Sequence, residues 1–75
     1  MIGYSQQIVR ANRDADGRNT GVKLGRFCIA REIPVTDVMD FFGVSKQCVY
    51  NWFIGRHQPS KLFSEAIAEY LKRAK

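Results

Sequence analysis

Cysteine is nearly absent from this sequence: Cys28 and Cys48 are the two in 75 residues. So sparse a set cannot staple a disulfide-dense secreted module, and a reducing cytoplasm is the expected setting. Histidine occurs once, at His57. Cys28, Cys48 and His57 fall at no zinc-ligand spacing, so no metal or other cofactor is expected. Long apolar runs are missing as well. The longest, Phe27-Cys28-Ile29-Ala30, has four residues, where a bilayer crossing takes about 20. Neither a membrane span nor a signal peptide is expected. The sequence also lacks a strand signal of useful length, an internal repeat and a low-complexity tract.

Chemistry is scarce too. No nucleophile–base pair, cluster of metal ligands or Gly-rich phosphate cradle is legible, and Asp37 and Asp40 have no partner for acid–base work. A chain of this length suits one small domain, near the lower limit for a core that folds unaided. It is short for the walled pocket that most enzymes need. Neither an enzyme nor a binder of a small-molecule substrate is expected.

What is present is a core and a basic bias. Apolar residues make up 45% and aromatic residues 12% of the chain. Lysine and arginine total 12 against 7 acidic residues, a net charge of +5, which favours an anionic partner. The charge is unevenly laid out. Glu32, Asp37 and Asp40 gather in residues 32–42, whereas residues 43–61 hold Lys46, Arg56 and Lys61 with no carboxylate. Such a stretch can lie against phosphates without repulsion, or be a solvated basic face.

The apolar spacing predicts an all-α domain of four helices, or five if the N-terminal segment adds a short one. Residues 1–19 read as an arm or extra short helix. Ile2, Tyr4, Ile8 and Val9 are its apolar hint, Ser5 to Arg10 a turn or two of helix, and residues 11–20 a polar loop or flexible arm. The helix-bearing domain is expected over 20–75. Its first helix starts at Thr20 as N-cap, buries Leu24, Phe27 and Cys28, and ends before Pro34. Lys23, Arg26 and Glu32 are expected to face out. The second follows Pro34, buries Val35, Val38, Met39 and Phe42, and stops at Gly43 in the left-handed region. Ser45 caps a third, anchored by Val49, Trp52 and Phe53. Ser60 caps a last one, with Phe63, Ala66, Ile67, Tyr70 and Leu71 as its apolar stripe.

The informative feature is the joint Phe42-Gly43-Val44-Ser45. Two short helices joined by a tight Gly-containing turn form a helix-turn-helix unit. The outward residues in the first turns of its second helix are Lys46, Gln47, Tyr50 and Asn51. Glutamine and asparagine can bond an adenine edge in bidentate fashion, and lysine can bond guanine. Trp52 is expected in the core rather than stacked on a base, and Cys48 to pack near Val38 or Met39.

The run from Val35 to Arg56 resembles the helix-turn-helix of lambda-repressor and Cro-like regulators. Gly43-Val44-Ser45-Lys46-Gln47, Val49, Asn51-Trp52 and Gly55 carry the likeness, which extends over about residues 20–71 with the supporting helices. Met39 departs from it, since that family has a small residue at this close helix contact. Pro34-Val35 departs too. The resemblance implies a lambda-repressor-like domain in which Lys46, Gln47 and Asn51 read bases, with Tyr50 beside them reaching a thymine methyl or a phosphate. It implies that the helix starts at Thr36 and Ser45, and the loop residues Arg56 and His57, meet phosphate. Arg10, Arg13 and Arg18 are either a minor-groove arm or solvated loop charges. The size is similar to that of phage-encoded regulators.

The function these readings imply is sequence-specific binding of double-stranded DNA in the cytoplasm, at the nucleoid of a bacterial cell or phage-infected host, as a transcriptional repressor. A protein-interaction module on the same fold and a recombination accessory protein are the alternatives. One recognition helix spans few base pairs, so a homodimer on a palindromic site is expected. Its surface would be the last helix, with part of the apolar stripe, Leu62 and Tyr70, exposed, unless the N-terminal Ile2, Tyr4, Ile8 and Val9 cover that stripe within one chain or swap onto the neighbour.

Overall fold

A computed structural model describes residues 4–73, which form five helices and, among those residues, no strand. They are α1 (Gln6–Asp14), α2 (Thr20–Ala30), α3 (Val35–Phe42), α4 (Lys46–Phe53) and α5 (Lys61–Arg73). Helix α2 packs against α1, α4 and α5; α4 also packs against α1 and α3. Leu24, Cys28, Val38, Val49, Trp52, Phe53 and Ile67 form the core. Trp52 lies inside it, its ring centroid 5.2 Å from Phe63 and 6.0 Å from Phe42. Met39, Cys48, Val35 and Phe27 pack against this core while only partly buried.

Local chemistry accounts for most helix ends. The Ser45 hydroxyl accepts the Cys48 N–H at 3.2 Å, and that of Ser60 accepts the Phe63 N–H at 3.4 Å. Each satisfies one of the donors orphaned at a helix start. Gly43 takes φ +68°, and the amides of Gly43 and Val44 both return to the Met39 carbonyl. The α2 start differs by one residue from expectation. Asn19, not Thr20, is the N-cap, with its Oδ1 accepting the Gly21 N–H at 2.8 Å.

The N-terminal segment departs further. Residues expected as loop continue α1 as far as Asp14, so Arg10 and Arg13 sit on a helix rather than on an extended arm. The cause is tertiary. Asn12 is 3% exposed. Its Nδ2 donates to the Val22 carbonyl at 3.1 Å and to the Phe53 carbonyl at 2.7 Å. An asparagine that favours loops in isolation here ties α1 to the backbones of α2 and α4. Arg26, exposed as expected, also donates to the carbonyls of Asn12, Arg13 and Ala15. It thereby satisfies the C-terminal end of α1, where a cation is also favoured by the helix dipole. Of the expected N-terminal apolar residues, Ile2 lies outside the described residues. Tyr4 leads into α1, whose contacts are with α2 and α4.

Helices α2 and α4 approach closely at two glycines. A Cβ on Gly21 would stand 2.8 Å from the Trp52 Cβ and 2.9 Å from its carbonyl oxygen. One on Gly25 would meet Asn12 Nδ2 at 2.6 Å and Phe53 Cγ at 2.9 Å. Gly21→Ala is therefore expected to destabilise the domain by about 1–3 kcal/mol through overpacking. The helix-propensity gain is smaller than that. Thermal or urea unfolding measures the loss.

Helix α2 ends on a Schellman turn. The Ile33 amide bonds the Cys28 carbonyl at 2.9 Å and the Glu32 amide bonds that of Ile29 at 3.3 Å. Glu32, exposed, holds φ +56° in the position glycine favours. Glu32→Gly should raise stability by about 0.5–1 kcal/mol, the αL relief exceeding the added unfolded-chain entropy. An unchanged or lowered melting temperature would show that Glu32 makes a compensating contact.

Candidate nucleic-acid interface

The acid-free stretch of the sequence becomes α4, the turn before it and the loop after it. Val49, Trp52 and Phe53 commit one side of α4 to the core. That leaves Lys46 and Gln47 exposed on its first turn and Tyr50 and Asn51 half-buried on the next. Gln47 and Asn51 are one helical turn apart, and the Gln47 Nε2 donates to Asn51 Oδ1 at 3.1 Å. The pair holds both side chains to a common geometry. It still carries the Gln47 Oε1 acceptor and the N–H groups of Asn51 Nδ2.

Tyr50 is less outward than its position in the helix pattern predicts. Its ring stands edge-on to Tyr4, centroids 6.4 Å apart, and the Tyr4 ring also lies 5.6 Å from Phe53. The Tyr4 hydroxyl donates to the Ile33 carbonyl, so this N-terminal residue spans from the α2–α3 connection to α4. Burial pushes the Tyr4 phenol well above its ordinary pKa, keeping the hydroxyl neutral and able to donate. The sequence marked Tyr4 only as an apolar hint; nothing local distinguishes a tyrosine that braces a helix from one in an arm.

The flanking residues fall as follows. Thr36 is exposed on the first turn of α3, and Ser45 is exposed at the start of α4. Arg56 and His57 are exposed in the loop after α4. That loop is folded back on the helix. Gly55 takes φ +78°, and the amides of Arg56 and His57 both bond the Asn51 carbonyl, at 3.0 and 3.3 Å. The same residue whose side chain meets Gln47 thus positions the basic loop through its backbone.

The three arginines of the N-terminal segment are not one cluster. Arg10 and Arg13 line a shallow groove on α1 with Gln6 and Val9. Arg18 lies in the turn before α2 and is paired with Asp16 through two side-chain bonds of 3.2 Å. Those bonds hold the Asp16 carboxyl below its usual range. The pair is exposed, so it neutralises charge locally more than it stabilises.

Other chemistry is thin. Cys28 is buried, and desolvation pushes its thiol up to about 12, which leaves it inert as a thiolate. Cys28 and Cys48 are both free thiols. Among the described residues, no group of three or more His, Cys, Asp and Glu side chains converges on a metal position. No helix among them is long and apolar enough to cross a membrane. No family model, curated protein or solved structure matches this chain.

Proposed function

We propose that this chain is a sequence-specific double-stranded DNA-binding protein and acts as a transcriptional repressor. In this reading α3, the Gly43–Ser45 turn and α4 are a helix-turn-helix of the lambda-repressor and Cro-like kind, with α4 entering the major groove. The observation that carries the reading is the outer face of α4. It is polar and free of carboxylates, it is built on a rigid apolar side, and its two amide side chains are already paired. Gln47 and Asn51 present acceptor and donor groups of the kind that match an adenine edge, and Lys46 suits guanine. Tyr50 lies beside them. Thr36 on α3, Ser45 at the start of α4 and Arg56 and His57 in the loop after it are exposed and carry groups suited to phosphate. Two copies on a palindromic site, half-sites roughly 34 Å apart, would supply the specificity one helix lacks. The work would be done at the nucleoid and needs no cofactor or small molecule. An interaction module would instead favour apolar or acidic residues on the α4 face.

Binding to DNA should fall steeply with salt, because phosphate contacts release counterions. Arg56→Ala is expected to weaken all sequences alike and to lower the slope of log K against log salt by about one. A change in which sequence is preferred would move Arg56 from phosphate to base contact. Salt-independent or undetectable binding to any duplex would remove the DNA reading.

Gln47→Ala should cost the best site, selected from a random duplex library, about 1–3 kcal/mol and cost random DNA little. Competition binding against both duplexes measures the difference. Equal losses on the two would mean that α4 is not the base-reading element.

A further inference from the structure

The outer face of α4 carries one apolar surface among polar groups. Lys46, Gln47 and Asn51 offer a charge and two amides, whereas Tyr50 offers a ring. Tyr50 follows Gln47 by three positions and Lys46 by four, so it shares their side of the helix. It is half-buried, and among the described residues its aromatic partner is Tyr4, whose ring meets it at 76° with centroids 6.4 Å apart. Tyr4 is itself anchored twice more. Its ring lies 5.6 Å from that of the fully buried Phe53, and its hydroxyl donates to the Ile33 carbonyl, next to the Pro34 cap of α3. One side chain thus touches the entry to α3, the buried side of α4 and the ring on the outer face of α4. Tyr4 also lies outside residues 20–71, so the likeness to lambda-repressor and Cro-like regulators gives it no role.

We propose that Tyr4 is a positioning residue for base recognition: by clamping the Tyr50 ring, it fixes the apolar surface with which α4 meets the methyl group of a thymine. The proposal rests on the DNA-binding reading of α4. Base edges in the major groove present donors, acceptors and one apolar group, the thymine C5 methyl. An apolar surface on the recognition face therefore has a single counterpart there, and Tyr50 is the residue that carries it. A methyl contact is short-ranged: opening a gap of about 0.5–1 Å forfeits roughly a quarter to a half of the attraction. A ring that swung between rotamers would seldom keep that distance, and ordering it on binding would cost free energy. Tyr4 removes both losses by holding the ring before DNA arrives. The N-terminal segment thereby sets specificity from outside the helix-turn-helix.

The test uses the full chain and the best duplex selected from a random library. Each thymine is replaced in turn by deoxyuridine, which lacks the methyl group. At one position the wild-type chain should lose roughly fourfold in affinity, the worth of one buried methyl. Tyr50→Ala should bind thymine and uracil there equally. Tyr4→Leu should lose most of the discrimination while keeping its helix content by circular dichroism, because Asn12 and Arg26 still tie α1 in place. Tyr4→Phe, which keeps the ring, should keep the discrimination. In the Tyr50→Ala background, Tyr4→Leu should cost the thymine site no further affinity, since Tyr4 acts through Tyr50. In the free wild-type chain, NMR couplings should show Tyr50 in one χ1 rotamer. The proposal is overturned by a wild-type chain indifferent to every replacement, by a folded Tyr4→Leu that still discriminates, or by a Tyr4→Phe as poor as Tyr4→Leu. A further loss in the Tyr50→Ala background, or rotamer averaging of Tyr50, overturns it equally. Salt-dependent binding that needs Gln47 but ignores the methyl overturns this proposal alone, whereas absence of duplex binding removes the DNA reading with it.

Discussion

Helices α2 and α4 meet almost backbone to backbone, and the rest of the domain depends on that contact. Gly21 and Gly25, one turn apart on α2, leave room for the Trp52 and Phe53 segment of α4. Interiors are packed to crystal-like density, so a single methyl at such a crossing displaces one element from the other. The close approach also brings the Val22 and Phe53 carbonyls within reach of one side chain, Asn12. A buried amide left unpaired costs free energy, whereas here its donors are satisfied by two helices at once. Helix α1 is thereby held as a third element against the α2–α4 pair.

That arrangement explains how so short a helix can present a polar face. α4 has eight residues, too few to be stable in water on its own. Its persistence comes from Val49, Trp52 and Phe53 on one side and from the Ser45 cap at its start. With the inner side committed to packing, Lys46 and Gln47 stay exposed on the outer side. Tyr4 adds a brace, from the Ile33 carbonyl to the rings of Tyr50 and Phe53. A rigid helix with prearranged side chains loses little conformational freedom on binding, which favours specificity over adaptability.

Two surfaces of different character result. The α4 side is polar and lacks carboxylates from the turn through the loop. The α3–α5 junction combines the exposed ring of Phe41, a groove of about 430 Å³ floored by Ala66 and the half-buried Tyr70, and the Glu69–Arg73 pair of charges.

Much of this was legible from residues close together in the chain. The apolar spacing of α2, α3, α4 and α5, the Ser45 and Ser60 caps and the left-handed Gly43 are interactions among neighbours within about one helical turn, so the sequence alone determines them. The exposed Lys46 and Gln47 follow from the same spacing. The remaining features join residues remote in sequence. Asn12 bonds carbonyls 10 and 41 positions away, and this is what extends α1 through residues that read as loop. Arg26 closes the end of a helix 11 to 14 positions before it. Tyr4 bonds a carbonyl 29 positions on and draws Tyr50 partly inward. The glycines of α2 have no role until α4 lies across them. Local propensity cannot choose an asparagine for a helix or a tyrosine for a brace; only the tertiary structure does, because their partners are backbone groups and rings that adjoin them after the helices have packed.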